Sequence, residues 1–127
     1  MTYYFSKSID APFDQAVERT IAALKSRGFG VLTKIDVKAT LKEKIGAEFR
    51  PYTILGACNP TMAHQALQAE DKIGTMLPCN VIVQEIDGKS EVAAVDPVAS
   101  MQAIENDALA TIAGKVRDEL KAAIQSL

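Results

Sequence analysis

The sequence predicts a single α+β domain in which two long helices cover one face of a mostly antiparallel sheet of about five strands. Its 127 residues are the usual size of one domain, so residues 1–127 are assigned to a single unit. Strand-like runs alternate with segments of helical period in the order β-α-β-(α)-β-(α)-β-β-α. The Asp87-Gly88 pair between the last two strands is a hairpin signal, because both residues tolerate a positive φ.

The first two elements are a strand and a long helix. Alternating residues predict a strand from Tyr3 to Ile9. Asp10-Ala11-Pro12 then supplies a cap and an early helical proline, and Gly28 ends the helix. The apolar stripe expected to face the sheet consists of Phe13, Ala16, Val17, Thr20, Ile21 and Leu24.

A second strand and a short helix follow. Val31 to Ile35 reads as a strand, and Asp36 can cap a helix over Val37–Ile45 that Gly46 ends. Charged residues separate the apolar positions of this helix, so one of its faces should contact water. They are Lys38, Lys42, Glu43 and Lys44.

The uncharged run from Pro51 to Ala57 predicts a third strand that is central in the sheet or covered on both faces. Asn59 and Pro60 form the cap and first residue of a helix that reaches about Glu70.

The chain then predicts the hairpin and a last long helix. The hairpin strands are Val81 to Ile86 and Glu91 to Val95. The helix is expected from about Ala103, and its apolar stripe consists of Leu109, Ile112, Val116, Leu120, Ala123 and Leu127.

One layer of helices leaves the other face of the sheet uncovered. The hairpin supplies apolar side chains that a second subunit could cover, so a homodimer is expected. The hairpin residues assigned to that surface are Val81, Val83, Val92 and Ala94.

Composition excludes several classes of protein. Apolar residues make up 48% of the chain and charged residues 24%, the usual globular balance. The net charge of −2, without a Lys/Arg cluster, argues against a nucleic-acid partner. The start of the chain lacks the pattern of a signal peptide, and no apolar run reaches the ~18 residues of a membrane span. The sequence therefore predicts a soluble cytoplasmic protein whose thiols are reduced.

Two short motifs, Cys58-Asn59-Pro60 and Pro78-Cys79-Asn80, hold the two cysteines. If the third and fourth strands are neighbours, both thiols lie together and could form a reversible disulfide or hold a soft metal. A helix start beside Cys58 favours a thiolate, whereas Cys79 leads into an apolar strand. The candidate ligand-binding or redox residues are Cys58, Asn59, Cys79 and Asn80. Packing alone would also explain the cysteines, and capping and turn formation would explain the asparagines.

His64 is the one histidine and is a weak third candidate for a metal site with Cys58 and Cys79. The spacing of these residues fits no closed zinc motif, so a solvated histidine is the simpler interpretation. Thioethers could serve Cu(I), although methionine more often fills core gaps. The methionines considered are Met62, Met76 and Met101. No cofactor is assigned.

Three functions remain open. The first is a homodimeric binding or sensing module for a small ligand or soft metal at the two cysteine motifs. The second is a thiol-dependent redox enzyme that uses Cys58, with Cys79 as the resolving thiol. The third is a structural interaction domain. A hydrolytic triad has few candidate members in a chain with one histidine.

The cysteine motifs and their surroundings resemble domain-of-unknown-function family 302. The matching segments are Gly56-Ala57-Cys58-Asn59-Pro60 with Ala63 and Leu67, Leu77-Pro78-Cys79-Asn80-Val81, Asp96-Pro97, Gly28-Phe29 and Asp36-Val37. The resemblance implies a small α+β fold of the TATA-binding-protein-like kind, usually seen as a homodimer. It carries over no catalytic residue.

Overall fold

Five strands and five α-helices follow one another along residues 2–127, which the computed structural model describes. They are β1 (Tyr4–Ile9), α1 (Phe13–Ser26), β2 (Gly30–Asp36), α2 (Val37–Ile45), β3 (Tyr52–Cys58), α3 (Pro60–Ala69), β4 (Cys79–Ile86), β5 (Lys89–Val95), α4 (Pro97–Ser100) and α5 (Asp107–Gln125). A 3₁₀ turn, Asp71–Met76, connects α3 to β4.

The strands form one sheet in the order β1-β5-β4-β3-β2. Every neighbouring pair is antiparallel. The predicted α+β domain with a five-stranded antiparallel sheet is confirmed.

The long helices α1 and α5 contact each other and pack on one face of this sheet. Alternation along each strand sends every second side chain into the core beneath them. The fully buried contributors from the strands are Leu55, Val81, Val83 and Val92, and those from the helices include Ala16, Leu24 and Leu120.

A smaller apolar cluster joins α3, the 3₁₀ turn and α5. Its buried members are Ala66, Ile73 and Leu109, and Leu77 and Met101 pack against them. This cluster closes one end of the helix layer, beside the carboxyl end of β3.

The last long helix begins later than the sequence predicts. Asp96 caps the short α4, accepting hydrogen bonds from the backbone N–H groups of Val98 and Ala99. A separate cap then opens α5, where Asn106 Oδ1 accepts a hydrogen bond from Leu109 N at 3.0 Å. The expected start at Ala103 therefore falls in the connection between two helices.

The side chains predicted for the uncovered hairpin surface face the helices instead. Val81, Val83 and Val92 are 0% exposed and Ala94 is 1% exposed. The residues that alternate with them point to the other side of the sheet, which we call the open face. On this face Ile82 pairs with Ile54 and with Ala93. Both parities of this hairpin are apolar, so the alternation does not indicate which one faces the core.

Within residues 2–127, no helix has both the length and the apolar character that a membrane crossing requires.

Candidate functional site

Pairing of β3 with β4 brings the two cysteine motifs together. Ala57 lies opposite Cys79, so Cys58 is displaced from Cys79 by one residue along the ladder. The prediction that the end of the third strand and the start of the fourth lie side by side is confirmed. The helix α3 and the 3₁₀ turn return the chain to the same edge of the sheet.

Asn59 is the cap of α3, as predicted. Its Oδ1 accepts a hydrogen bond from Met62 N at 3.1 Å, and Pro60 occupies the first helical position. Gly28, at φ +85°, lies against this cap, because a Cβ there would stand 3.1 Å from Asn59 Nδ2. The end of α1 thus supports the start of α3.

A narrow apolar cleft lies between this cap and α5. Its free interior volume is about 30 Å³, room for roughly one water molecule. Both cysteines and two methionines, Met62 and Met101, line it. The remaining lining residues are Phe29, Ala57, Asn59, Ala63, Ala66, Leu77, Pro97, Leu109, Ile112, Ala113 and Val116. None of them carries a formal charge.

The two thiols have different environments. Cys58 is half-buried at the end of β3, whereas Cys79 is buried and only 7% exposed. Burial raises the pKa of Cys79 from 9.0 to about 11, and the nearby Cys58 contributes in the same direction. Cys79 is therefore a protonated thiol at neutral pH.

Other predicted site residues lie elsewhere. Asn80 was expected in a turn, but it belongs to β4 and pairs with Gly56. It is exposed and lines a depression on the open face rather than the cleft. His64 is exposed on α3 and does not line the cleft.

The three candidate metal ligands, Cys58, His64 and Cys79, do not form a metal site. Across residues 2–127, no three His, Cys, Asp or Glu side chains are grouped so that they could hold a metal ion. The sulfur-bearing residues that line the cleft are Cys58, Cys79, Met62 and Met101. Met76 is 42% exposed and lies outside it.

Sequence analysis missed the wall of the cleft that α5 contributes. Ile112 and Val116 belong to the predicted helical stripe, which indicated burial but not the partner of each residue. Met101 lies in the connection after α4, where no periodic signal is present. Its place in the same cleft as Met62 depends on how α5 packs against α3, which lies far away in the sequence.

A solved structure described as an uncharacterized conserved protein DUF302 from Bacillus stearothermophilus is similar to this chain. The TM-score is 0.92 and the identity 28%, over 98% of each chain. No curated protein is significantly similar. The family described as "Domain of unknown function DUF302" matches residues 5–127. Since this match spans nearly the whole sequence, the chain belongs to the DUF302 family.

Proposed function

We propose that this protein is a binding or sensing module for a soft metal ion, Cu(I), held in the apolar cleft. The observation that carries the proposal is the convergence of four sulfur-bearing residues, Cys58, Cys79, Met62 and Met101, on one cleft. Thiolates and thioethers are the ligands that Cu(I) prefers.

Volume and charge favour a bare ion over an organic ligand. The interior of about 30 Å³ accommodates a particle of the size of water. Hard cations such as Mg²⁺ and Ca²⁺ require several oxygen ligands, and the cleft offers no carboxylate. A monovalent ion with one thiolate forms a neutral pair, which an apolar site holds at a lower desolvation cost than a charged group.

Binding at Cys79 would release a proton. The thiol loses H⁺ as the Cu–S bond forms, so that Cu⁺ and R–SH give R–S–Cu and H⁺ without any change of oxidation state. Because burial raises the pKa of Cys79 to about 11, the proton competes with the metal over the whole neutral range. The affinity should therefore rise by about tenfold per pH unit if one proton is released.

The test is an anaerobic titration of the purified protein with Cu(I) against a colorimetric chelator. We expect one equivalent to bind, and we expect Cys79→Ser to weaken binding most strongly. Met62→Leu and Met101→Leu should weaken it less, because thioethers are neutral donors. Met76→Leu is the matched control, since Met76 lies outside the cleft.

The His64→Gln variant separates this site from the three-ligand alternative. The exposed His64 does not line the cleft, so its replacement should leave the Cu(I) affinity unchanged. Failure of the native protein to bind Cu(I) at any pH between 7 and 9 would exclude the proposed function.

A thiol-dependent redox enzyme is the second candidate. Its support is the half-buried Cys58 directly before the cap of α3, where a reagent from solvent can reach the thiol. The buried Cys79 weighs against it, because its raised pKa keeps the thiol protonated at neutral pH and thiol–disulfide exchange proceeds through a thiolate.

We place the protein in a reducing compartment such as the cytoplasm, because both cysteines are free thiols. We also propose that two copies associate through the open face of the sheet.

A further inference from the structure

The open face contains a depression of about 390 Å³, within the size range of sites for small organic molecules. All three tyrosines of the chain, Tyr3, Tyr4 and Tyr52, line it. It lies on the other side of the sheet from the apolar cleft, so the proposed Cu(I) site does not account for it.

The sheet register explains why these residues meet. Tyr52 pairs with Gln84, and Gln84 pairs with Glu91, so the three form a row across β3, β4 and β5. On the edge strand β1, Tyr4 pairs with Val95 and bounds the other side. The apolar side chains of Ile82 and Ala93 lie between them, so aromatic rings flank an apolar floor.

A chain of hydrogen bonds ends at the one charged group in this lining. Arg50 Nε donates to Gln84 Oε1 at 2.9 Å, and Gln84 Nε2 donates to Glu91 Oε1 at 2.9 Å. The two bonds fix the orientation of the Gln84 amide. Within residues 2–127, the half-buried Glu91 takes part in no ion pair. Its carboxylate is therefore an oriented negative group that makes no direct ion pair, because the guanidinium of Arg50 contacts the Gln84 amide instead.

We infer that the depression binds a small organic cation: an ammonium group on an aromatic or aliphatic body. The apolar body contacts Ile82 and Ala93, and the ammonium group pairs with the Glu91 carboxylate. Tyrosine rings also attract cations, and the guanidinium of Arg50 already lies over the Tyr52 ring, 5.6 Å from its centroid. The faces of Tyr3 and Tyr4 are therefore the ones assigned to the ligand. Among the lining residues that the structure describes, only Glu91 carries a formal charge, so anions are disfavoured. A second copy docked on this face would enclose the ligand.

Tyrosine fluorescence reports this site directly, because the chain has no tryptophan and every tyrosine lines the depression. The probes are phenethylammonium, phenethyl alcohol and phenylacetate, which share one ring and differ in charge. We expect a saturable change with phenethylammonium and at least about tenfold weaker binding of the alcohol, because a charge-assisted hydrogen bond is lost. Phenylacetate should give no saturable change.

The Glu91→Gln variant should weaken binding of phenethylammonium by about tenfold, since the amide oxygen retains the bond from Gln84 but not the charge. Glu85→Gln is the matched control, because Glu85 lies on the same hairpin with the opposite parity. Equal binding of the cation and the alcohol to the native protein would overturn the inference, even if a variant failed to fold. A stable dimer that binds none of the probes would also overturn it and assign the face to the second copy alone.

Discussion

At the scale of single residues, the two thiols should be separable by alkylation. Cys58 is half-buried beside a helix start, while Cys79 is buried with a pKa raised to about 11. We expect iodoacetamide to modify Cys58 first, because the thiolate is the nucleophile and the buried Cys79 retains its proton at neutral pH. A mass-spectrometric time course on folded protein is the measurement. Equal, slow labelling that begins only on unfolding would leave packing as the function of both residues.

Cys79 also predicts a loss of stability at alkaline pH. The unfolded thiol ionises near its ordinary pKa of 9.0, whereas the folded one retains its proton to about 11. Below pH 9 neither state is ionised and there is no effect, but above it the unfolded state loses its proton first and is favoured. We expect the free energy of unfolding to fall by about 2 kcal/mol between those two pKa values because of this group.

Cys79→Ala isolates this contribution from the lysines and tyrosines that titrate in the same range. Its pH dependence, measured by urea denaturation, should be flatter than that of the native protein by about 2 kcal/mol. Parallel pH profiles for the two proteins would contradict the raised pKa.

Asn59 should contribute to stability through its capping bond to Met62 N. Asn59→Ala removes the acceptor and should cost about 1 kcal/mol of unfolding free energy. Asn59→Asp is the control, because it retains a capping oxygen, and Pro60→Ala should be milder than Asn59→Ala. Chemical denaturation that finds Asn59→Ala neutral would show that the cap carries no net stability.

At the scale of elements, Gly56 is the most crowded glycine of the sheet. A Cβ there would stand 2.2 Å from Thr33 Oγ1 and 2.8 Å from Pro78 Cγ, so β2 and the start of β4 close over it. Gly56→Ala should therefore destabilise the protein by about 1–3 kcal/mol. Gly30→Ala, on the neighbouring strand with nothing within 4 Å of its added Cβ, is the matched control. Thermal unfolding of both variants tests the contrast.

Element type was predictable where a stripe or cap was unambiguous, as for α1, α2 and α3. The hairpin shows the limit, because Ile82 and Val95 are as apolar as the buried Val81 and Val92. The face that contacts the helices is decided by the register against β3, which periodicity does not encode. The Asp96-Pro97 pair is similarly ambiguous. A capping residue followed by proline begins α3, which has ten residues, but the same pattern at Asp96-Pro97 begins a helix of only four residues.

At the scale of the whole molecule, the site was predictable only along the sheet. Consecutive strands are usually neighbours, and the helix between β3 and β4 returns the chain to the same edge, so the meeting of the Cys58 and Cys79 motifs could be inferred. The position of Met101 in the lining of the cleft could not be inferred, because it depends on packing between elements that are distant in sequence. Asn80 lies outside the cleft, because side chains alternate along β4 and the residue after Cys79 faces the other side of the sheet.

The open face is large enough to support a homodimer. Five strands spaced about 4.8 Å apart, each about seven residues long, present roughly 500 Å² per copy. Two such faces reach about 1,000 Å², the lower bound for a specific interface. We expect sedimentation at micromolar concentration to give twice the mass of the 13.7 kDa chain.

Ile82→Lys places a charge at the centre of that face and should shift the protein to monomer, because a buried unpaired charge opposes association. Leu67→Lys is the control, since Leu67 is 43% exposed on α3, away from the sheet face. If native protein and both variants sediment alike as monomers, the homodimer is excluded. If all three are dimers, the copies associate through a surface other than the open face.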